Sequence, residues 1–288
     1  WMQACQRPSG GWLGSVGPGD YFPQAEIPWA AKFFLDAHLR RVRARMDALE
    51  PDFPDGIRDD DGRLQLLREH ARSGDRVLEA GCGKGRFLKA LVAKPGVQAT
   101  GVDISARLLR HAGPACETHV GTLENLPLPD NSVDLAFSVE AIEHSANQAA
   151  AVAELVRVTR PGGTVIVIDK PASARGRLPT EPWERWPDSD EMLRQLLRGC
   201  VNARAVPVGV NGNPPDGLLT AWVATKAMPQ PVARDAHLLV VNNPSGISVH
   251  RGWDGDPVNA VTLVRKIAGR YVHPVHRLDR PTSGALVF

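Results

Sequence analysis

The stretch Val77-Leu78-Glu79-Ala80-Gly81-Cys82-Gly83-Lys84-Gly85 decides the fold. An apolar strand start runs into three glycines at alternate positions. An acid, Glu79, stands just before them, and Arg86-Phe87-Leu88-Lys89-Ala90-Leu91 then reads as a helix. Glycine at such points lets the backbone turn tightly and approach a ligand that a Cβ would push away. A dinucleotide fingerprint places its glycines first, third and sixth; here they fall first, third and fifth, and Arg86 holds the sixth place. No Gly-Lys-Ser or Gly-Lys-Thr follows, so a Walker A phosphate cradle is excluded. A glycine turn behind an acid suits a nucleoside with an amino-acid tail better than it suits a pyrophosphate.

Strands and helices alternate outward from this turn. Residues 77–79, 99–103, 135–139 and 164–168 read as strands. The segments from Arg86 to Ala93 and over 149–159 read as helices, the second carrying Val152, Leu155, Val156 and Thr159 on one side. This rhythm predicts an α/β, Rossmann-like, doubly wound sheet with helices on both faces. Residues 187–198 give one more helix. Residues 202–208 and 218–225 flank Val210-Asn211-Gly212-Asn213-Pro214-Pro215 and read as a hairpin.

Upstream, residues 1–28 are rich in Gly, Pro and Ser and read as loop. Residues 29–50 read as a helix with Leu35, Leu39, Val42, Met46 and Leu49 on one face and Arg40, Arg41, Arg43 and Arg45 mostly off it. Residues 51–61 form an acidic, proline-containing break, and residues 64–70 a short helix. Trp1 in place of Met suggests that the chain begins inside a longer one.

The 288 residues are 43% hydrophobic and 23% charged, with a net charge of +2, as in a water-soluble globular protein. No uninterrupted apolar run has membrane-spanning length, and no signal peptide is visible. Cys5, Cys82, Cys116 and Cys200 are scattered without a Cys-x-x-Cys pair, which suggests a reduced, cytosolic protein with neither a metal site nor a disulfide scaffold.

The character changes after residues 227–233, a linker by composition. Residues 236–288 hold four of the nine histidines and six Lys or Arg against three Asp. The expected division is an N-terminal loop and helical cap over 1–69, a nucleoside-binding domain over 70–228 and a further segment over 229–288.

Four elements of the middle region, in order, resemble the class I S-adenosylmethionine (SAM)-dependent methyltransferases, specifically the small-molecule type-11 group. They are Glu79 with Gly81, Gly83 and Gly85; Gly101-Val102-Asp103-Ile104-Ser105; Gly121-Thr122-Leu123-Glu124-Asn125-Leu126-Pro127 leading to Val133-Asp134-Leu135-Ala136-Phe137-Ser138; and Leu155-Val156-Arg157-Val158-Thr159-Arg160-Pro161-Gly162-Gly163. The resemblance covers about residues 70–226 and implies a seven-stranded, mostly parallel sheet ending in the antiparallel hairpin. It implies SAM as cofactor. The turn of Gly81, Cys82, Gly83 and Gly85 would pass the amino-acid end, supported by Glu79. Asp103, 24 residues after Glu79, would accept from the ribose diol, although a helix N-cap is the other reading of that acid. Ile104, Thr122 and Leu123 would flank the adenine, with ordinary core packing as the alternative. Ser138 and Val139 would lie near the sulfonium.

Methyl transfer from a cationic sulfur leaves a neutral thioether, so orientation can supply most of the rate effect, about 7–11 kcal/mol in favourable cases. A base is needed only for an acceptor that must lose a proton. Glu140 and His144, in Ser138-Val139-Glu140-Ala141-Ile142-Glu143-His144, are the catalytic candidates, His144 foremost as base. A histidine that orders the loop is the alternative. No Asn-Pro-Pro-aromatic or Pro-Cys sequence ends the fourth strand, so a small-molecule acceptor is expected rather than a nucleic-acid base. Pro182-Trp183-Glu184-Arg185-Trp186-Pro187 either closes over that acceptor or packs.

A second resemblance lies in the last segment. Leu239-Val240-Val241-Asn242-Asn243-Pro244-Ser245-Gly246-Ile247-Ser248-Val249-His250 and Val275-His276-Arg277-Leu278-Asp279-Arg280-Pro281-Thr282-Ser283-Gly284 resemble, in order, the early strand-and-turn and catalytic motifs of RluA-type pseudouridine synthases. The resemblance implies that Asp279 is a nucleophilic carboxylate for a flipped uridine and that Arg277 holds that nucleotide. RNA is then a partner. Asn243 stands where relatives carry Lys, and the chain stops nine residues after Asp279, so an incomplete α+β segment with little or no isomerase activity is expected. Three functions follow: a small-molecule methyltransferase, a bifunctional RNA-modification protein, or a non-catalytic SAM-fold module.

Overall fold

The computed structural model describes residues 28–251 and 258–288. The loop expected over residues 1–28 therefore lies, Pro28 apart, outside the described residues, as does Cys5. The chain forms two compact units, divided between Asp52 and Phe53. In the first, helix α1 (Pro28–Ala48) is followed by a 3-10 turn at Glu50–Asp52, where Pro51 interrupts the helical hydrogen bonding. Of the expected stripe only Val42 is buried; Leu39, Met46 and Leu49 are half-buried and Leu35 is exposed, while His38 is buried and Arg40, Arg41, Arg43 and Arg45 are exposed.

The second unit holds a doubly wound sheet. Its elements are α2 (Gly62–His70), β1 (Arg76–Ala80), α3 (Arg86–Leu91), β2 (Gln98–Asp103), α4 (Ala106–Leu109), β3 (Cys116–Val120), β4 (Val133–Val139), α5 (Gln148–Val158), β5 (Thr159–Asp169), α6 (Ser189–Leu197), β6 (Cys200–Val208) and β7 (Leu219–Lys226). The strand order is β3-β2-β1-β4-β5-β7-β6. The first five strands are parallel, and β7 runs antiparallel to both β5 and β6. This is the mixed α/β, Rossmann-like fold expected.

Side-chain alternation explains why the sheet is covered twice. Successive residues of a strand face opposite sides. Val77, Leu135, Phe137 and Ile166 pack with Leu64 and Leu67 of α2 and Phe87, Leu88 and Leu91 of α3. Their neighbours Leu78, Ala136, Val165 and Val167 pack on the other side with Val152 and Leu155 of α5 and Met192 and Leu196 of α6. Strands buried on both faces are almost continuously apolar, which is how β1, β4 and β5 read.

Two readings need correction. Strand β5 starts at Thr159 rather than at residue 164, because Arg160-Pro161-Gly162-Gly163 is drawn into the sheet across an irregularity opposite Val133 and Leu135. The linker expected over 227–233 contains β8 (Gln230–Arg234), an exposed edge strand whose register shifts between Pro231 and Ala233. Proline is tolerated on such an edge because no ladder donor is needed on its open side.

Beyond it, β8, β9 (Leu239–Asn243) and β10 (Gly284–Val287) form a three-stranded antiparallel sheet in the order β10-β9-β8. Helix α7 (Ala260–Ala268) covers it, and Leu239, Val241, Ile247, Val264, Leu286 and Phe288 make a separate core. Asn259 caps α7 reciprocally with Thr262. Asn259→Ala should cost about 1 kcal/mol, lowering the urea midpoint of this sheet without changing the slope.

Candidate active site

The glycine turn is stitched to the end of β2. Gly81 N and Cys82 N both donate to Val102 O, at 2.7 and 3.1 Å. Asp103, at the tip of β2, accepts from Gly83 N through Oδ2 at 2.8 Å and from Ser105 N through Oδ1 at 2.8 Å. Ser105, not Asp103, is the N-cap of α4, accepting from Leu108 N. The helix-cap reading of Asp103 is thereby replaced: its carboxylate bridges the turn and the strand end. Gly81, Gly83 and Gly85 all sit at positive φ, of 79°, 53° and 70°. At Gly81 a Cβ would also stand 2.4 Å from Ala141 Cβ.

Glu79 is buried beneath this turn, and its Oε2 accepts no hydrogen bond. Burial raises its pKa well above the usual carboxylate range, with Asp103 adding to the shift and Arg86 opposing it. The Leu123 loop lies close by: Leu123 Cδ2 is 3.7 Å from where a Gly81 Cβ would be. That loop is pinned by Glu124, whose Oε1 accepts from Ser145 Oγ at 2.6 Å and Ala146 N at 2.9 Å. Thr122 bridges to Asn125 within it. Ser138 and Val139, at the end of β4, are buried, as is Cys82, and Ile104 is half-buried between Asp103 and Ser105.

Glu140 follows β4 at a left-handed φ of 49°, a conformation uncommon outside glycine and asparagine. Three cations surround its carboxylate. Arg63 Nη1 donates to Oε2, Arg86 Nη2 stands 3.6 Å from the same oxygen, and Lys170 Nζ is 3.8 Å from Oε1. Arg63 is itself gripped by the fully buried Asp61, the N-cap of α2, which also accepts from Asn211 N. Arg58, Arg63 and Arg86 line a cleft of about 310 Å³ with Ile57 and Asn211. Sequence reasoning passed over Asp61, Arg63 and Arg86, because charged residues near a short helix default to a solvated face.

His144 lies in a 3-10 turn, Ile142–His144, between two carboxylates. Its Nε2 is 3.6 Å from Glu143 Oε1, and its Nδ1 is 4.0 Å from Glu184 Oε1. The segment of Trp183 and Trp186 docks here: Arg185 N donates to Glu143 O at 2.8 Å, and both tryptophans are buried. Beneath it, Asp169 Oδ2 accepts from Glu143 N, and Lys170 Nζ donates to Glu143 Oε1 at 2.5 Å. Burial raises Glu143 to about 8 and Asp169 to about 7, with Lys170 opposing both shifts.

These two carboxyls set a pH dependence. The folded chain keeps protons that the unfolded chain releases near pH 4, so between about pH 4 and the raised values stability falls as pH rises. The melting temperature should therefore drop from about pH 5 to pH 8 through these groups, and Asp169→Asn should flatten that slope.

In the last segment, the two quoted motifs meet. Ser248 to Arg251 and Arg277 to Arg280 line one cleft of about 430 Å³. Arg277 Nη2 is 3.9 Å from Asp279 Oδ1, and both side chains are exposed. Arg280 pairs with Asp130 of the larger sheet's loop.

Residues 78–167 match a methyltransferase domain. Among curated proteins, the chain is 33% identical over 149 residues to malonyl-acyl-carrier-protein O-methyltransferase of Pectobacterium atrosepticum, covering 51% of this chain and 58% of that one. It is 32% identical over 130 residues to 2-methyl-6-phytyl-1,4-hydroquinone methyltransferase of Synechocystis sp., covering 43% and 39%. The chain thus spans well under two thirds of either relative. Of solved structures, the 4+2 cyclase SpnF superposes with a TM-score of 0.52 at 17% identity, over 66% of this chain and 97% of that one. Identity that low speaks for the fold alone. No helix among the described residues is long and apolar enough to cross a membrane.

Proposed function

We propose that the chain is a SAM-dependent methyltransferase acting on a small-molecule acceptor. The observation that carries this reading is the junction of β1 and β2, where a side-chain-free turn meets the Asp103 carboxylate inside a matched methyltransferase domain. The fit to SAM rests on two features of the chain. A buried Glu79 oxygen without a hydrogen-bond donor suits an α-ammonium group. Three glycines at positive φ bring a turn without side chains to the Asp103 carboxylate, where a ligand can meet the backbone.

Gly81, Cys82, Gly83, Gly85 and Glu79 would hold the amino-acid end, Asp103 the ribose, and Ile104, Thr122 and Leu123 the adenine. Ser138 and Val139 would border the sulfonium. Bound there, SAM supplies a methyl group on a cationic sulfur. The chain's own part is orientation and exclusion of water. His144, flanked by Glu143 and Glu184, is held to accept a proton from an acceptor that must lose one. Glu140, pinned by Arg63 and Arg86, anchors the wall between β4 and α2 rather than abstracting a proton. One relative is named for acting on a malonyl group, which carries negative charge; in the cleft of Arg58, Arg63 and Arg86 the arginines are paired with Asp60, Asp61 and Glu140. Incubation with methyl-labelled SAM and a cell extract tests the reading: label should appear in an acidic small molecule, and no transfer to any fraction would overturn it.

A second reading concerns the last segment alone. The cleft shared by the two motifs, with His250, Arg251, Arg277 and Arg280 around Asp279, supports an RNA-contacting segment of RluA type. A uridine-containing RNA hairpin should bind with affinity that falls steeply with salt, and Arg277→Ala should weaken it. Salt-independent or absent binding contradicts this.

A further inference from the structure

We propose that Glu143, His144 and Glu184 form a binding site for a divalent transition-metal ion beside the candidate cofactor cleft. One ligand atom from each of the three lies within 4.8 Å of the other two. Glu143 Oε1 and His144 Nε2 stand 3.6 Å apart, within the spacing of two donors that share an ion at about 2.1 Å. Glu184 Oε1 lies 4.0 Å from His144 Nδ1, and Glu184 Oε2 accepts from Trp186 Nε1 at 3.3 Å, which fixes the carboxylate's orientation.

An independent observation points the same way. The Glu143 side chain is only 2% exposed, yet its Oε2 has no hydrogen-bond donor. Lys170 satisfies Oε1 alone. Asp169 accepts from Glu143 N, and Glu184 lies against the His144 ring, so three carboxylates meet in this corner. A buried carboxylate with an unmet oxygen is costly, and a cation is the group that meets it.

The donor set selects the ion. Two carboxylates and an imidazole suit Mn²⁺, Fe²⁺, Co²⁺ or Zn²⁺, whereas Mg²⁺ and Ca²⁺ prefer oxygen throughout. The site follows the C-terminal end of β4, the edge where open α/β sheets take ligands, so the ion is placed to hold an oxygen of the acceptor, with His144 then a ligand in place of its role as proton acceptor. That use rests on the methyltransferase reading; ion binding itself does not. The scattered cysteines gave no hint of it, because its ligands come from segments distant in sequence and contain no cysteine.

The test uses the full chain stripped with a chelator. Titration with Mn²⁺, read by the electron paramagnetic resonance of the free ion, and with Zn²⁺, by equilibrium dialysis, should each saturate at one equivalent. Glu184→Gln and Glu143→Gln should each weaken binding at least about tenfold. Glu143→Gln alters a buried group, so Glu184→Gln decides if the first variant misfolds by circular dichroism. SAM calorimetry on Glu184→Gln should be unchanged within about twofold, which separates failure of this site from failure of the cofactor reading. Absence of saturable uptake of both ions, or uptake equal in wild type and Glu184→Gln, overturns the proposal.

Discussion

Asp103→Ala should weaken SAM binding about tenfold to a hundredfold in titration calorimetry. A hydrogen bond to a charged group contributes about 1.5–3 kcal/mol, and about 1.4 kcal/mol is a factor of ten. The same carboxylate accepts from Gly83 N and Ser105 N, so its loss also frees the turn. Asp103→Asn keeps one acceptor oxygen and should fall between wild type and Ala. Melting curves on both variants separate the two contributions, because a shift confined to affinity assigns the effect to the ligand, and a parallel loss of melting temperature assigns part of it to the turn.

Gly81→Ala should be more severe, abolishing measurable SAM binding and lowering stability by at least about 2 kcal/mol. A left-handed conformation costs an L-residue about 1–2 kcal/mol. The new Cβ adds a contact of 2.4 Å with Ala141 Cβ, which two methyl groups cannot hold. Either the turn moves away from Asp103 or the segment after Glu140 is displaced. Adding Ala141→Gly should restore part of the stability, because it removes the clash but not the backbone cost. The coupling between the two changes is read from a double-mutant cycle by urea unfolding. Additive effects would mean that the turn and the Ala141 segment do not press on each other.

Most of the fold was legible because its strands are short apolar runs bounded by glycine, and because one unusual turn fixed their register. Val77, Leu135 and Ile166 announce buried parallel strands, and Val152 and Leu155 an amphipathic helix; Val158, rather than Val156, completes its buried face. Strand β3 (Cys116–Val120) was not foreseen, because Glu117, Thr118 and His119 give no apolar alternation at a sheet edge. Helix α7 was missed for a similar reason: its cap, Asn259, resembles a loop residue until Thr262 reciprocates. Glu79, Asp103, Ser138 and Val139 lie at or near the ends of β1, β2 and β4, and Gly81, Gly83 and Gly85 in the turn after β1.

The network around Glu140 and Glu143 was not legible. Asp61 with Arg63, Lys170 and Glu184 come from three separate segments, and only the fold brings them together. Burial there is a tertiary property: Arg63 is 5% exposed although nothing in Asp61-Gly62-Arg63-Leu64 distinguishes it from a surface pair. The positive φ of Glu140 is likewise set by the close of β4 against β5, through its N–H to Ile168 O at 2.8 Å, and not by residue type.

The most direct measurement is titration calorimetry of the full chain with SAM. A single saturating site, competed by S-adenosylhomocysteine, is the predicted result. No binding at millimolar ligand would contradict the assignment of the glycine turn and Asp103 as a sulfonium-nucleoside site, leaving the fold as a scaffold without its cofactor.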